Sequence, residues 1–210
     1  DGPLIAANDV GILGMIEGRP HLIGPMVNVY NESTLAYLAG RGAQRVTVPA
    51  ELSGDNITKL APEAARLGVD LEVQVFGRLP LAISARCYHA RAHGLHKDGC
   101  QYICAQDKDG LDVTTLDGEP FLAVNGTQTM SLPYHALLPE LDRLVKAGLK
   151  RFRLWPHSVD MVAVAQLFRD VLDGKAEPFE AREALKAMIG AAGLANGFYY
   201  GKEGVAFTAE

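Results

Sequence analysis

Outside residues 87–104 the chain has no cysteine at all, and inside that stretch it has three: Cys87, Cys100 and Cys104. An odd number crowded into one segment excludes a secreted fold stapled by disulfides and points to a metal or redox site in a reducing compartment. No apolar run reaches the ~18 residues of a bilayer crossing, and the opening DGPLIAANDV lacks a basic stretch followed by a hydrophobic one. A cytoplasmic location is expected. Basic stretches are equally scarce. The formal net charge is -5, and the one gathering of cations, Lys146, Lys150, Arg151 and Arg153, reads as a solvated helix end leading into a strand. Nucleic acid is therefore not an expected partner, because phosphate binding needs a concentrated basic face. The dinucleotide, P-loop, HExxH and GxSxG signatures do not occur either.

With 210 residues, 48% of them apolar and 21% charged, the chain has the balance of a folded globular protein. A single α/β domain over residues 1–210 is expected. Short β-branched runs alternate with amphipathic ones. Residues 21–29 read as a strand, 32–41 as a helix after Asn31, and 45–48 as a strand. Ser53 caps a helix to Leu67 that Gly68 ends, and 70–76 is a strand again. Ahead of these, 4–7 looks like a strand end, with Asn8-Asp9 capping a helix over 10–17. This βαβα order belongs to a parallel sheet covered by helices.

From Gly77 to Gly126 the helical periodicity lapses. The cysteines fall here, with the turn signals Asp98-Gly99, Asp109-Gly110 and Asp117-Gly118, the last of them flanked by strands over 112–116 and 120–124. Helices over 134–147, 159–172 and 183–192, and a strand over 152–154, complete the pattern. About four βα units are too few for a closed barrel. The expected fold is α/β, a partial (β/α) barrel-like parallel sheet with a cysteine-bearing insertion, its N-terminal units absent.

Thiolates are soft ligands suited to iron-sulfur clusters and to structural zinc. Cys100 and Cys104 are four apart, so in a loop or first helical turn both sulfurs can face one centre, and Cys87 stands thirteen residues earlier. Arg86, Arg91 and Lys97 would offset the charge of such a site. Three cysteines alone leave iron-sulfur, zinc completed by His89 or His93, and free buried thiols all open. His21, His135 and His157 read as surface or hydrogen-bonded residues. Glu51, Glu72, Asn28 and Asn125 fall in or near strand ends, where polar groups often face a site; a paired acid/base role for Glu51 and Glu72 competes with a structural one.

The stretches AANDVGIL (6–13), GPMVNVYN (24–31), VPAELS (48–53), LEVQVFGRLPLAISARC (71–87), KDGCQYIC (97–104) and FLAVNGTQTMS (121–131) resemble the UbiV family of the collagenase-like peptidase superfamily. The likeness covers nearly the whole chain and corresponds to the C-terminal two-thirds of that family. It implies a 4Fe-4S cluster, with Cys87, Cys100 and Cys104 matching the last three of four cysteine ligands. The first ligand lies before the part matched by AANDVGIL and has no counterpart here, so a truncated chain and an outside fourth ligand are expected. The resemblance further implies a subunit of an oxygen-independent hydroxylase system of ubiquinone biosynthesis. In it a UbiU-like partner forms a heterodimer, a UbiT-like lipid-binding accessory assists, and prephenate is the proposed hydroxyl donor to the ubiquinone precursor. Two other classes stay open: a peptidase-like hydrolase and a zinc-stabilised interaction module.

Overall fold

The structure is a computed structural model that describes residues 4–16 and 18–209. In chain order its strands and helices are β1 (Ile5–Ala7), α1 (Val10–Met15), β2 (His21–Ile23), α2 (Glu32–Ala39), β3 (Ala43–Thr47), α3 (Gly54–Leu67), β4 (Asp70–Gly77), β5 (Pro80–Ile83), α4 (Tyr88–Ala92), β6 (Leu111–Thr114), β7 (Pro120–Asn125), β8 (Gln128–Ser131), β9 (Tyr134–Ala136), α5 (Leu141–Lys146), β10 (Arg151–Leu154), α6 (Met161–Leu172), α7 (Pro178–Ile189) and β11 (Leu194–Ala195). The fold is α/β, with a partial barrel-like, mostly parallel sheet and a cysteine-bearing insertion; among the described residues the strands do not close into a barrel. The chain divides into two compact units, one of residues 1–75, 139–154 and 196–210, the other of 76–138 and 155–195.

In the first unit β1, β2, β3 and β4 are consecutive parallel neighbours, and β10 also pairs with β4. The helix α3 shows how the sequence writes such a unit. Ser53 Oγ accepts the Asn56 N–H, Ile57, Leu60, Ala61 and Ala64 line one buried face at helical spacing, and Gly68 ends the helix at φ +69°. Strand β4 is buried on both faces, as a central parallel strand should be. Leu71, Val73 and Val75 point one way, Glu72 and Gln74 the other. The register sets Thr47 beside Glu72, so the Thr47 hydroxyl donates to the carboxylate at 2.8 Å; Arg153 donates to it at 2.6 Å, and an Arg45 nitrogen lies 3.5 Å away. A second buried polar knot holds the last residues: Asn196 donates to Glu140 at 2.9 Å and to the Thr208 carbonyl at 2.9 Å, and accepts the Thr208 N–H at 2.7 Å.

In the second unit the Phe76–Gly77 end of β4 pairs antiparallel with β9, which β11 joins in parallel. Phe76 is the centre of its core, stacked on Tyr134 at 5.6 Å with Phe168 of α6 at 6.2 Å. The order β5-β8-β7-β6 makes a separate antiparallel sheet. Its β7–β8 hairpin turns on Gly126 at φ +60°, a position where glycine avoids the side-chain clash.

Several expected elements differ. The strand over 21–29 stops at Ile23, because Pro25 follows and starts a 3-10 turn. The helix over 134–147 is a strand at Tyr134–Ala136 and a helix only from Leu141; Pro139 disfavours helical geometry at the residue before it, and β9 gains ladder partners on both sides. The last helix starts at Pro178, five residues early. Of the helix over 10–17, Val10–Met15 is present, with Asp9 capping it, and Glu17 lies outside the described residues.

The Asn196 knot leads to a stability prediction. Asn196→Ala strips partners from a buried carboxylate, a buried N–H and a carbonyl, and unsatisfied groups of this kind cost about 1–3 kcal/mol each. Urea unfolding should show a loss of roughly 3 kcal/mol after partial relaxation; a loss below about 1 kcal/mol would mean that the knot does not hold the C-terminal segment.

Candidate functional site

The three cysteines occupy a stretch built from short helical turns. Cys87 is the N-cap of α4: it is buried, and its sulfur accepts the Ala90 N–H at 3.4 Å. Cys100 closes a 3-10 turn at Lys97–Gly99, and Cys104 lies in the next one, Ile103–Gln106; both are half-buried. Between them Gln101 and Tyr102 stand at φ +52° and +54°, two successive non-glycine residues in the left-handed region. Each such residue costs about 1–3 kcal/mol and persists only where its surroundings impose it. Arg86, Arg91 and Lys97 are exposed along the same stretch, with the Lys97 ammonium 3.4 Å from the Ala85 carbonyl.

Among the described residues the three sulfurs do not gather within 4.8 Å of one another. Both structural zinc and an iron-sulfur cluster take thiolate ligands of this kind. The chemistry of the donors, three soft sulfurs from one segment with cations nearby, fits an iron-sulfur cluster. The histidines suggested as completing a zinc set with the cysteines turn elsewhere. His89 Nε2 is 2.9 Å and His93 Nε2 3.9 Å from the Asp107 carboxylate.

A polar cleft of about 220 Å³ in the same unit is lined by Lys108, Asp109, Asn125, Gln128, Trp155 and His157 among others. Asp109 organises it. Its carboxylate accepts the Ser158 N–H at 2.8 Å, the Ser158 hydroxyl and the Tyr134 hydroxyl at 3.2 Å, with His157 Nδ1 3.5 Å away. Burial pushes the Asp109 carboxyl up, but these donors, led by Ser158, outweigh it and leave it below the ordinary carboxylate value. His157 Nε2 accepts the Arg78 N–H at 2.9 Å, so the imidazole hydrogen is on Nδ1, facing Asp109. Burial pushes the His157 pKa down; Asp109 opposes the shift and Arg78 reinforces it.

Of the other residues singled out in the sequence, Asn125 does reach this cleft, donating to the Lys108 carbonyl at 3.2 Å. Asn28 is an exposed turn residue at φ +61°. Glu51 and Glu72 take different partners. Glu72 is held by Thr47, Arg153 and Arg45, whereas Glu51 accepts the Tyr30 hydroxyl, and that bond, with burial and the Glu51 charge, pushes Tyr30 up to about 12. No hydrogen bond or ion pair joins the two carboxylates among the described residues. His21 and His135 are buried, His157 is half-buried with its ring largely covered, and His21 Nδ1 lies 2.8 Å from the Arg19 carbonyl. The Asp109 network had no signal in the sequence beyond its Asp-Gly turn. No helix among the described residues is long and apolar enough to cross a membrane.

A barrel-like α/β scaffold with a thiol-bearing insertion defines the class. The family model of Peptidase family U32 matches residues 4–208, and the chain belongs to that family. The resemblance to the collagenase-like peptidase superfamily stands at that level. No solved structure matches the chain.

The cleft predicts a pH dependence. A group whose pKa is lowered on folding contributes stability that falls as protons are added below its unfolded value. His157 should therefore erode stability from about pH 6.5 downward until its own lowered pKa is passed, and Asp109 from about pH 3.9 downward. Urea midpoints measured against pH should show the upper loss, and His157→Gln should flatten it. An unchanged slope in that variant would assign the loss to other groups.

Proposed function

We propose that this U32 chain is the iron-sulfur component, of UbiV type, of an oxygen-independent ring hydroxylation in ubiquinone biosynthesis. It would act in the cytoplasm as a heterodimer with a UbiU-like protein, served by a UbiT-like lipid-binding accessory, on a ubiquinone precursor with prephenate as hydroxyl donor. The observation that carries the reading is that all three thiols of the chain fall at the ends or within short helical turns of one insertion, with cations beside them. Family membership supports it.

Cys87, Cys100 and Cys104 would hold the 4Fe-4S cluster, and its fourth ligand is not among them. When bound, the cluster would supply electron transfer or substrate activation. The chain's own residues set the conditions. The Ala90 N–H donates to the Cys87 sulfur and fixes its orientation at the start of α4. Arg86, Arg91 and Lys97 lower the cost of concentrating negative sulfur in one place, and burial of Cys87 limits water at that ligand.

Protein prepared without oxygen should be brown and contain iron and acid-labile sulfide in equal amounts. Cys100→Ser should lose both while circular dichroism stays close to the parent. Protein that remains colourless and iron-free after reconstitution, or holds zinc without sulfide, would sink the proposal. Co-expression with a UbiU-like partner tests the second half: a stable pair that hydroxylates the ring anaerobically is the expected outcome.

A further inference from the structure

Beside the cysteines lies a cluster that the cluster reading does not use: His89, His93 and Asp107, whose ligand atoms lie within 4.8 Å of one another. His89 and His93 are four apart on and just after α4, with their rings stacked at 5.5 Å and 17°. His89 is fully buried. Its Nδ1 is 3.1 Å from the Val124 carbonyl, which can only accept, so Nδ1 carries a hydrogen. A neutral imidazole has one such hydrogen, and its second nitrogen is therefore a lone pair. That lone pair, Nε2, faces a carboxylate oxygen of Asp107 at 2.9 Å. Two lone pairs at that distance repel unless a positive species stands between them.

A proton could fill that place, but it gives no role to the third donor, His93 Nε2, 3.9 Å from the same carboxylate oxygen. A metal ion uses all three. Bonds of about 2.0–2.2 Å place neighbouring ligand atoms about 2.9–3.5 Å apart, so the His89–Asp107 separation already suits an ion, and the His93 nitrogen at 3.9 Å from Asp107 needs a small movement of its ring to join them. The Val124 carbonyl fixes the tautomer and orientation of His89, the support that metal-bound histidines regularly have from their other ring nitrogen. His93 is exposed and Asp107 is partly so, which leaves the remaining coordination positions open to water. Two imidazoles and one carboxylate, with no sulfur, suit a divalent first-row transition ion.

We propose that His89, His93 and Asp107 form a second metal site, for a divalent transition ion such as Zn2+ or Fe2+, independent of the three cysteines. It ties the stretch after Cys104 to α4, and it stands or falls apart from the iron-sulfur reading.

Cobalt(II) reports the two kinds of site separately, because thiolate ligation adds an intense near-ultraviolet charge-transfer band and nitrogen-oxygen ligation does not. The full chain should take up one Co2+ whose spectrum shows visible d–d absorption without that near-ultraviolet band. The same ion should bind when Cys87, Cys100 and Cys104 are all replaced by serine, with calorimetric affinity for Zn2+ within about threefold of the parent. Asp107→Asn and His93→Ala should each weaken Zn2+ binding by at least about tenfold while leaving iron and sulfide content intact. Should the triple variant fail to fold, the band-free Co2+ signal in the parent and its loss in Asp107→Asn decide the matter alone. Absence of that signal, or Zn2+ binding that neither substitution weakens, overturns the site and assigns the gap between His89 and Asp107 to a proton. Loss of iron and sulfide with Zn2+ binding retained would count against the cluster reading only.

Discussion

One carboxylate governs how the second unit holds its irregular segment. Asp109 accepts hydrogen bonds from the backbone and hydroxyl of Ser158 and from Tyr134, and faces His157 Nδ1. Removing a carboxylate from water is unfavourable, and only this number of donors makes the burial tolerable. The consequence is positional. The cysteine stretch leaves β5, which is tied to β8, and ends at the Asp109-Gly110 turn, where Gly110 takes φ +98° and the chain enters β6. Its two ends are thus fixed by a ladder on one side and by a charge-assisted anchor on the other. Tyr134 carries the constraint inward, since its ring stacks on Phe76 at the centre of the core.

Between those anchors the segment has little to stabilise it by itself. Its helical pieces are five, three and four residues long, far below the ~12 residues at which an isolated helix becomes marginal. Order comes from the Cys87 cap, from the burial of His89 and from Asp109, while Gln101 and Tyr102 work against it. Ligand binding in such a stretch is coupled to its folding, because the same free energy that holds a metal also offsets the strained turn. Exposed Tyr102 stands at φ +54° between Cys100 and Cys104.

What could be read from the sequence follows from the range of the forces involved. The α3 boundaries were legible at both ends, because Ser53 and Gly68 act within one turn of themselves. The helix expected over 134–147 was misread because β9 is a strand only by virtue of partners at Phe76–Gly77 and β11, about sixty residues away on either side. Asn125-Gly126 is the local turn signal of the β7–β8 hairpin. The cysteines stood out by type and spacing. The Asp109 network joins residues nearly fifty apart, and each of them alone is an ordinary loop residue. Asp107 is the same case: His89 and His93 share a helix face by spacing, but nothing local says which carboxylate comes to meet them.

The family's name invites a search for a peptidase, and the cleft holds the side chains from which one is commonly built. Asp109, His157 and Ser158 are in contact, yet they are wired in the wrong order for nucleophilic catalysis. A serine is activated when its hydroxyl faces the lone pair of an imidazole whose other nitrogen is steadied by the carboxylate. Here the Ser158 hydroxyl donates straight to Asp109, and the His157 lone pair is taken by the Arg78 N–H. Freeing that lone pair would require breaking a backbone hydrogen bond at 2.9 Å beside Arg78, whose charge already disfavours a proton on the ring. The same three residue types thus make a partly covered anchor in one arrangement and a nucleophile in another. In this chain the arrangement serves to position the segment that carries the thiols.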